Sequence, residues 1–113
     1  MELRSILGSP EYHIGSRVLS KVLLASPNNV VKRVRKDTLL RRLDPVCVVR
    51  LAEEFLVRAV EFLGPAEARC LLCGARIVSR NVARAVFHHL TQAHLREVEE
   101  LGRVALALCG APS

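Results

Sequence analysis

Apolar residues recur along this chain mostly at helical spacing. Val18, Leu19, Val22 and Leu23 stand at i, i+1, i+4 and i+5, which predicts one helical face between Ser16 and about Ala25. Ser26-Pro27 then reads as the start of a second helix, because proline has a preset φ and no amide to leave orphaned at a first turn. Val30, Val31 and Val34 fall on its inner side. The clearest pattern follows Asp44-Pro45. Asp44 can cap, Pro45 takes the first position, and Gly64-Pro65 stops the run. Val48, Val49, Ala52, Phe55, Leu56, Ala59 and Leu63 form a stripe, so a helix is expected from Pro45 to Leu63 with its phenylalanine in the core. Phe62 and Phe87 are read as core residues too. Ser79 or Asn81 can cap a last long helix whose Val82, Ala85, Val86, His89 and Leu90 share a face. It is expected to run to about Leu108, with a break at Gly102.

The stretch between these last two helices, residues 66–78, is short, mixed and irregular. The organisation expected is therefore mostly α. An N-terminal arm (1–10) leads into a helical domain (11–64), a separate small module (66–96) and a C-terminal helical extension (97–113). Half of the 113 residues are apolar, enough for a real core. A chain this size buries only about two-thirds of its unfolded surface, so a metal staple would help it.

The module carries the most specific chemistry. Cys70-Leu71-Leu72-Cys73-Gly74 is followed by His88, His89 and His94. A C-x-x-C turn sets two thiolates on one side of an ion, glycine permits the tight backbone behind them, and a helix can present two imidazoles from adjacent turns. Fifteen residues separate Cys73 from His89 and four separate His89 from His94, both within zinc-site spacing. His88 is a competing ligand, with a longer gap to His94. Buried thiols and surface histidines are the plainer alternative. A thioredoxin-like redox use of C-x-x-C needs a βαβ setting, which the flanking helices do not offer.

Over residues 68–96 the sequence resembles the two-Cys, two-His zinc finger family. The matching pieces are Cys70-x-x-Cys73-Gly74, Ile77 in place of the family's aromatic, Val86, and His89-Leu90-x-x-x-His94. The resemblance implies a ββα unit around zinc with Cys70, Cys73, His89 and His94 as ligands. The gap from the second Cys to the first His is three residues longer than usual, so an atypical finger is implied. Residues 28–90 also resemble the histone fold. Val30–Lys36 matches its first helix, 45–72 its long central helix, and 76–86 its second loop and third helix. That match implies a handshake dimer wrapping DNA, with Arg42, Arg76 and Arg80 on phosphate. Gly64-Pro65 departs from it by breaking the central helix.

Charge adds a partner. The formal net charge is +6, and Lys32, Arg33, Arg35, Lys36, Arg41 and Arg42 crowd into eleven residues with Asp37 as the only acid. Such a stripe can track a phosphate backbone, although a solvated helix face is the simpler account. Arg76, Arg80 and Arg84 are the next candidates. The expected function is DNA binding, in preference to RNA, in transcription regulation or genome packaging. A homodimer is allowed. The alternatives are the histone-like dimer and a protein-interaction module without nucleic acid. No Gly-rich phosphate loop and no H-E-x-x-H motif appear, and Glu97, Glu99 and Glu100 have no neighbour to tune them, so no enzyme is expected. With no targeting signal and no long apolar run, a cytoplasmic or nucleoid-associated setting without membrane contact is expected. In that setting four cysteines argue for a metal site or buried thiols rather than disulfides.

Overall fold

The computed structural model describes residues 7–110. The first six residues of the expected arm lie outside them. Helix α1 (Pro10–Leu24) starts earlier than the apolar pattern predicts, because the Ser9 hydroxyl accepts from the Tyr12 amide and caps it at the arm's edge. Ser26 precedes a single 3-10 turn (Pro27–Asn29), which runs into the short α2 (Val30–Lys36). Asp44 caps α3 (Pro45–Ala59) by accepting from the amides of Val46 and Cys47.

Helix α3 ends four residues before the expected stop. Val60 leaves the helix with φ −149° and begins strand β1 (Val60–Gly64), which pairs antiparallel with β2 (Glu67–Cys70) across the Gly64-Pro65 turn. Strand β3 (Arg76–Val78) adds to β2, giving a three-stranded sheet in the order β1-β2-β3. The residues Val60, Glu61, Phe62 and Leu63 fit either period, and pairing with β2 decides for strand. No single helix therefore spans 45–72, and the long central helix that the histone-like reading needs is replaced by a hairpin.

The last helix also divides, at His94 rather than Gly102. Helix α4 (Val82–Ala93) is capped by the Asn81 side chain, and α5 (Leu95–Cys109) begins directly after His94. Gly102 lies inside α5, where it serves packing. A Cβ built on Gly102 would stand 1.7 Å from the Glu11 carbonyl oxygen, and one on Gly15 would stand 1.9 Å from that of Val98. Helices α1 and α5 thus cross backbone against backbone, and only glycine fits at both positions.

Around that crossing lies the core. Ile14, Val18 and Leu19 from α1, Val30 and Val34 from α2, Val48 and Ala52 from α3, and Val98, Leu101 and Ala105 from α5 are buried together with Leu40 and Leu43. Phe55 is only half-buried at its edge, and Phe87 likewise. Phe62 is exposed, contrary to expectation, because it sits on edge strand β1 with no neighbour beyond it. Buried Tyr12 donates its hydroxyl hydrogen to the Thr91 carbonyl at 2.7 Å, tying α1 to α4.

Cys47 and Cys109 form a disulfide, where thiols or metal ligands were expected. Their positions explain the pairing: the Asp44 amide donates to the Cys109 carbonyl at 2.8 Å and Leu43 bridges Gly110, so the start of α3 and the end of α5 are already together. None of the described helices is long and apolar enough to cross a membrane.

Candidate metal centre

Cys70, Cys73, His89 and His94 converge, with one ligand atom from each lying within 4.8 Å of the others. Each is delivered by a different local device. Cys70 is the last residue of β2, fully buried and held by its amide on the Ala75 carbonyl at 2.8 Å. The chain then turns back on itself: the Gly74 amide donates to the Cys70 carbonyl at 2.7 Å, and Gly74 takes φ +80°, a left-handed value that favours glycine. This turn carries Cys73. The Leu71 amide donates to the Ala59 carbonyl, so the end of α3 anchors the turn from behind. His89 projects from the third turn of α4. His94 is both the C-cap of α4 and the N-cap of α5, with φ −128° and ψ 53°. The break between the two helices is the place from which an imidazole reaches Cys70.

The distances suit an ion at the centre. Cys70 Sγ lies 3.3 Å from His94 Nε2, and Cys73 Sγ lies 3.4 Å from His89 Nε2. Metal–sulfur bonds of about 2.3 Å and metal–nitrogen bonds of about 2.0–2.1 Å at a tetrahedral ion separate the two donor atoms by about 3.5 Å. The His89 and His94 rings meet edge to face, 5.1 Å between centroids, as two imidazoles on one ion would. The residues present therefore fit a four-coordinate metal. His88 stands outside the cluster and is exposed, so His89 is the residue the fold brings in.

The electrostatics prepare the histidine for this use and leave a proton to displace from sulfur. Burial lowers the pKa of His89, and the charge of His94 lowers it further, both in the direction of the neutral ring that a ligand needs. Burial raises the pKa of the Cys70 thiol. The backbone amides of Leu72 and Cys73 oppose this by donating to the sulfur, while the Cys73 side chain adds to the rise. A metal ion held by Cys70 would replace that proton and offset the desolvation. Behind His94, the Glu97 carboxylate oxygen lies 3.8 Å from Nδ1, the ring nitrogen that faces away from the sulfurs. Sequence reading gave Glu97 no role. Its place three residues after a ligand histidine on a helix was the signal, since ligand imidazoles regularly turn their second nitrogen to a carboxylate.

The cationic candidates divide into two groups. Lys32, Arg33, Arg35 and Lys36 are exposed on α2, opposite the buried Val30 and Val34, and Arg41 and Arg42 are exposed in the turn that follows. Arg76 on β3, Arg80 in the loop before α4 and Arg84 in its first turn are exposed on the metal-binding module. Arg76 is ion-paired with Glu67 across the sheet. The other eight are without an ion pair among the described residues. Asp37, the single acid within the α2 cluster, is buried and turned inward. Its carboxylate takes Arg17 at 2.9 Å and Lys21 at 3.5 Å, and accepts the amides of Leu39 and Leu40.

No family model, curated protein or solved structure matches this chain.

Proposed function

We propose that this chain is a small DNA-binding protein whose strand–turn–strand–helix module is an atypical two-Cys, two-His finger closed by one structural zinc ion. The single observation that carries the DNA reading is the set of exposed, unpaired cations on α2 and the following turn, Lys32 to Arg42, whose only acid is committed to the interior. Like charges held this close repel one another in the free protein, and a polyanion relieves them. Zinc is the natural occupant of two thiolates and two imidazoles at tetrahedral spacing. Four protein ligands leave no open position for substrate, which supports a structural rather than a catalytic role.

A protein partner is the second reading, favoured by Val57, Phe62, Leu71, Leu72 and Val78, all exposed on or beside the module. Binding of a labelled duplex, measured from about 50 to 200 mM salt, separates the two. DNA binding through phosphate gives a log–log slope near −0.9 for each contact. Absence of any duplex affinity at the lowest salt would leave the protein-partner reading standing alone. Elemental analysis of the purified chain is expected to give about one zinc per molecule; a metal-free protein that melts identically with and without chelator would overturn the zinc assignment.

A further inference from the structure

The cations of α2 are not all on an open face. Lys32, Arg33 and Lys36 line a cleft of about 400 Å³, and Lys21 of α1, together with Asn29 before α2, forms the remaining wall above Asp37. Lys21 belongs to a different helix and to no charge run in the sequence. Its ammonium reaches the cleft because α1 and α2 pack side by side.

The charge balance of this cleft is lopsided. Four cations face one carboxylate. That carboxylate is 1% exposed and already holds Arg17, Lys21 and two backbone amides, so it cannot neutralise Lys32, Arg33 or Lys36. The Asn29 side chain gives one amide hydrogen to the Ser26 hydroxyl at 3.0 Å and keeps a second to offer. Donors therefore converge from two helices and a turn on one concavity. A carboxylate has two oxygens to present to such a set. A phosphate has more oxygens and more charge, and lysine ammoniums bind it as point charges without needing a planar fork.

We propose that the cleft between α1 and α2, lined by Lys21, Asn29, Lys32, Arg33 and Lys36, is a phosphate-binding site. Resting on the DNA reading above, it seats a backbone phosphate and anchors the duplex at α2. The same oxygens could come from a free oligophosphate, so both sources are tested.

The zinc-loaded full chain is titrated with sodium tripolyphosphate and, separately, with a labelled duplex, as wild type, Lys32→Gln/Lys36→Gln and Arg80→Gln/Arg84→Gln. All four substituted side chains are exposed and unpaired, so each variant keeps its fold. Tripolyphosphate is expected to shift the amide resonances of residues 21, 29, 32, 33 and 36 in wild type. The affinity should fall about tenfold or more in the α2 variant, in keeping with two lost charge-assisted contacts. On the duplex, the α2 variant is expected to lower the salt slope by roughly two. Wild-type resonances of residues 21–37 that stay unmoved at millimolar tripolyphosphate overturn the cleft. An unchanged slope in the α2 variant beside a shallower one in the Arg80/Arg84 variant overturns the seating of the duplex in the cleft and moves the DNA contact to the module. Cleft resonances that move with tripolyphosphate while no duplex binds uphold the phosphate site and overturn the DNA reading instead.

Discussion

The helical body and the module that carries the Cys/His cluster are built differently. The body, made of α1, α2, α3 and α5, buries large aliphatic side chains from every helix and adds a glycine crossing and a disulfide. The module, made of β1–β3 and α4, buries Val60, Ala68, Cys70, Val86, Leu90 and Thr91. Ala68 and Cys70 are small, and β3 is three residues long. The module's buried residues continue the body's core, and Cys70, Cys73, His89 and His94 bring a candidate metal cross-link to its short sheet. On the proposed zinc assignment, the body is expected to hold its fold without the metal and the module to need it.

The largest effect that tests this contrast is metal removal. Were the proposed zinc bound, its binding energy would be folding energy, on the order of 10 kcal/mol in isolated fingers. Chelation, or Cys70→Ser, is expected to abolish amide-exchange protection across residues 60–94 while α1, α3 and the second half of α5 keep theirs. Loss of protection spread evenly over all helices would show that the two regions form one cooperative unit.

Next in size is the disulfide, which acts on the body alone. Cys47 and Cys109 are 62 residues apart, and closing a loop of that length removes about 4 kcal/mol of unfolded-chain freedom in the chain-entropy account. Reduction should lower the denaturant midpoint of the body and leave the metal content untouched. Zinc lost together with the disulfide would mean that the two cysteine pairs exchange partners. Disulfides are rare in reducing compartments outside hyperthermophiles, so the redox state of this pair in cells reports directly on the setting.

Smaller again is the helix crossing. Gly15→Ala is expected to cost about 3 kcal/mol, since the new Cβ meets backbone and no side chain can swing aside. Gly64→Ala, with nothing within 4 Å, is the matched control and should be near neutral. Equal melting temperatures for the two variants would show that α1 and α5 separate easily, contrary to the crossing described.

What the sequence revealed follows the same division. The cluster of Cys70, Cys73, His89 and His94 was legible because a metal-type pattern fixes residue type and spacing locally. The cap at Asp44 was legible because cap and amide lie within three residues, and between the two candidates Ser79 and Asn81 the structure selects Asn81. Strand β1 was not, because Val60 to Leu63 satisfy both periods and the choice rests on Cys70, Arg69 and Ala68, several residues further along. The break at His94 carries no proline or glycine, so no local signal marked it. Gly102 read as a helix breaker because its partner, Gly15, is far away in sequence. The Cys47–Cys109 pair is likewise long-range, and expectations about compartment argued against it.

The smallest effect concerns Asp37, which joins α1 to α2 beneath the cleft lined by Lys32, Arg33 and Lys36. Its carboxyl is buried, which alone would raise its pKa. The Leu39 amide, the Arg17 guanidinium and the Leu40 amide all favour the charged form and prevail, so the pKa lies below the ordinary aspartate value. A group with a lowered folded-state pKa contributes stability that is fully present above the unfolded value, about 3.9, and is lost as pH falls through the folded one. Asp37→Asn keeps the shape and removes the charge. It is expected to cost about 1–3 kcal/mol near neutral pH, the scale of a charge-assisted hydrogen bond lost inside, with Arg17 half in solvent limiting the loss. The gap between wild type and variant should then narrow as the pH is lowered from about 5 to 3, because wild type loses the same charge by protonation. Urea midpoints of both proteins across that range give the measurement. A constant gap would mean that Asp37 acts through its shape and its hydrogen bonds to Leu39 and Leu40 rather than through charge, and that Arg17 and Lys21 approach it without stabilising the body.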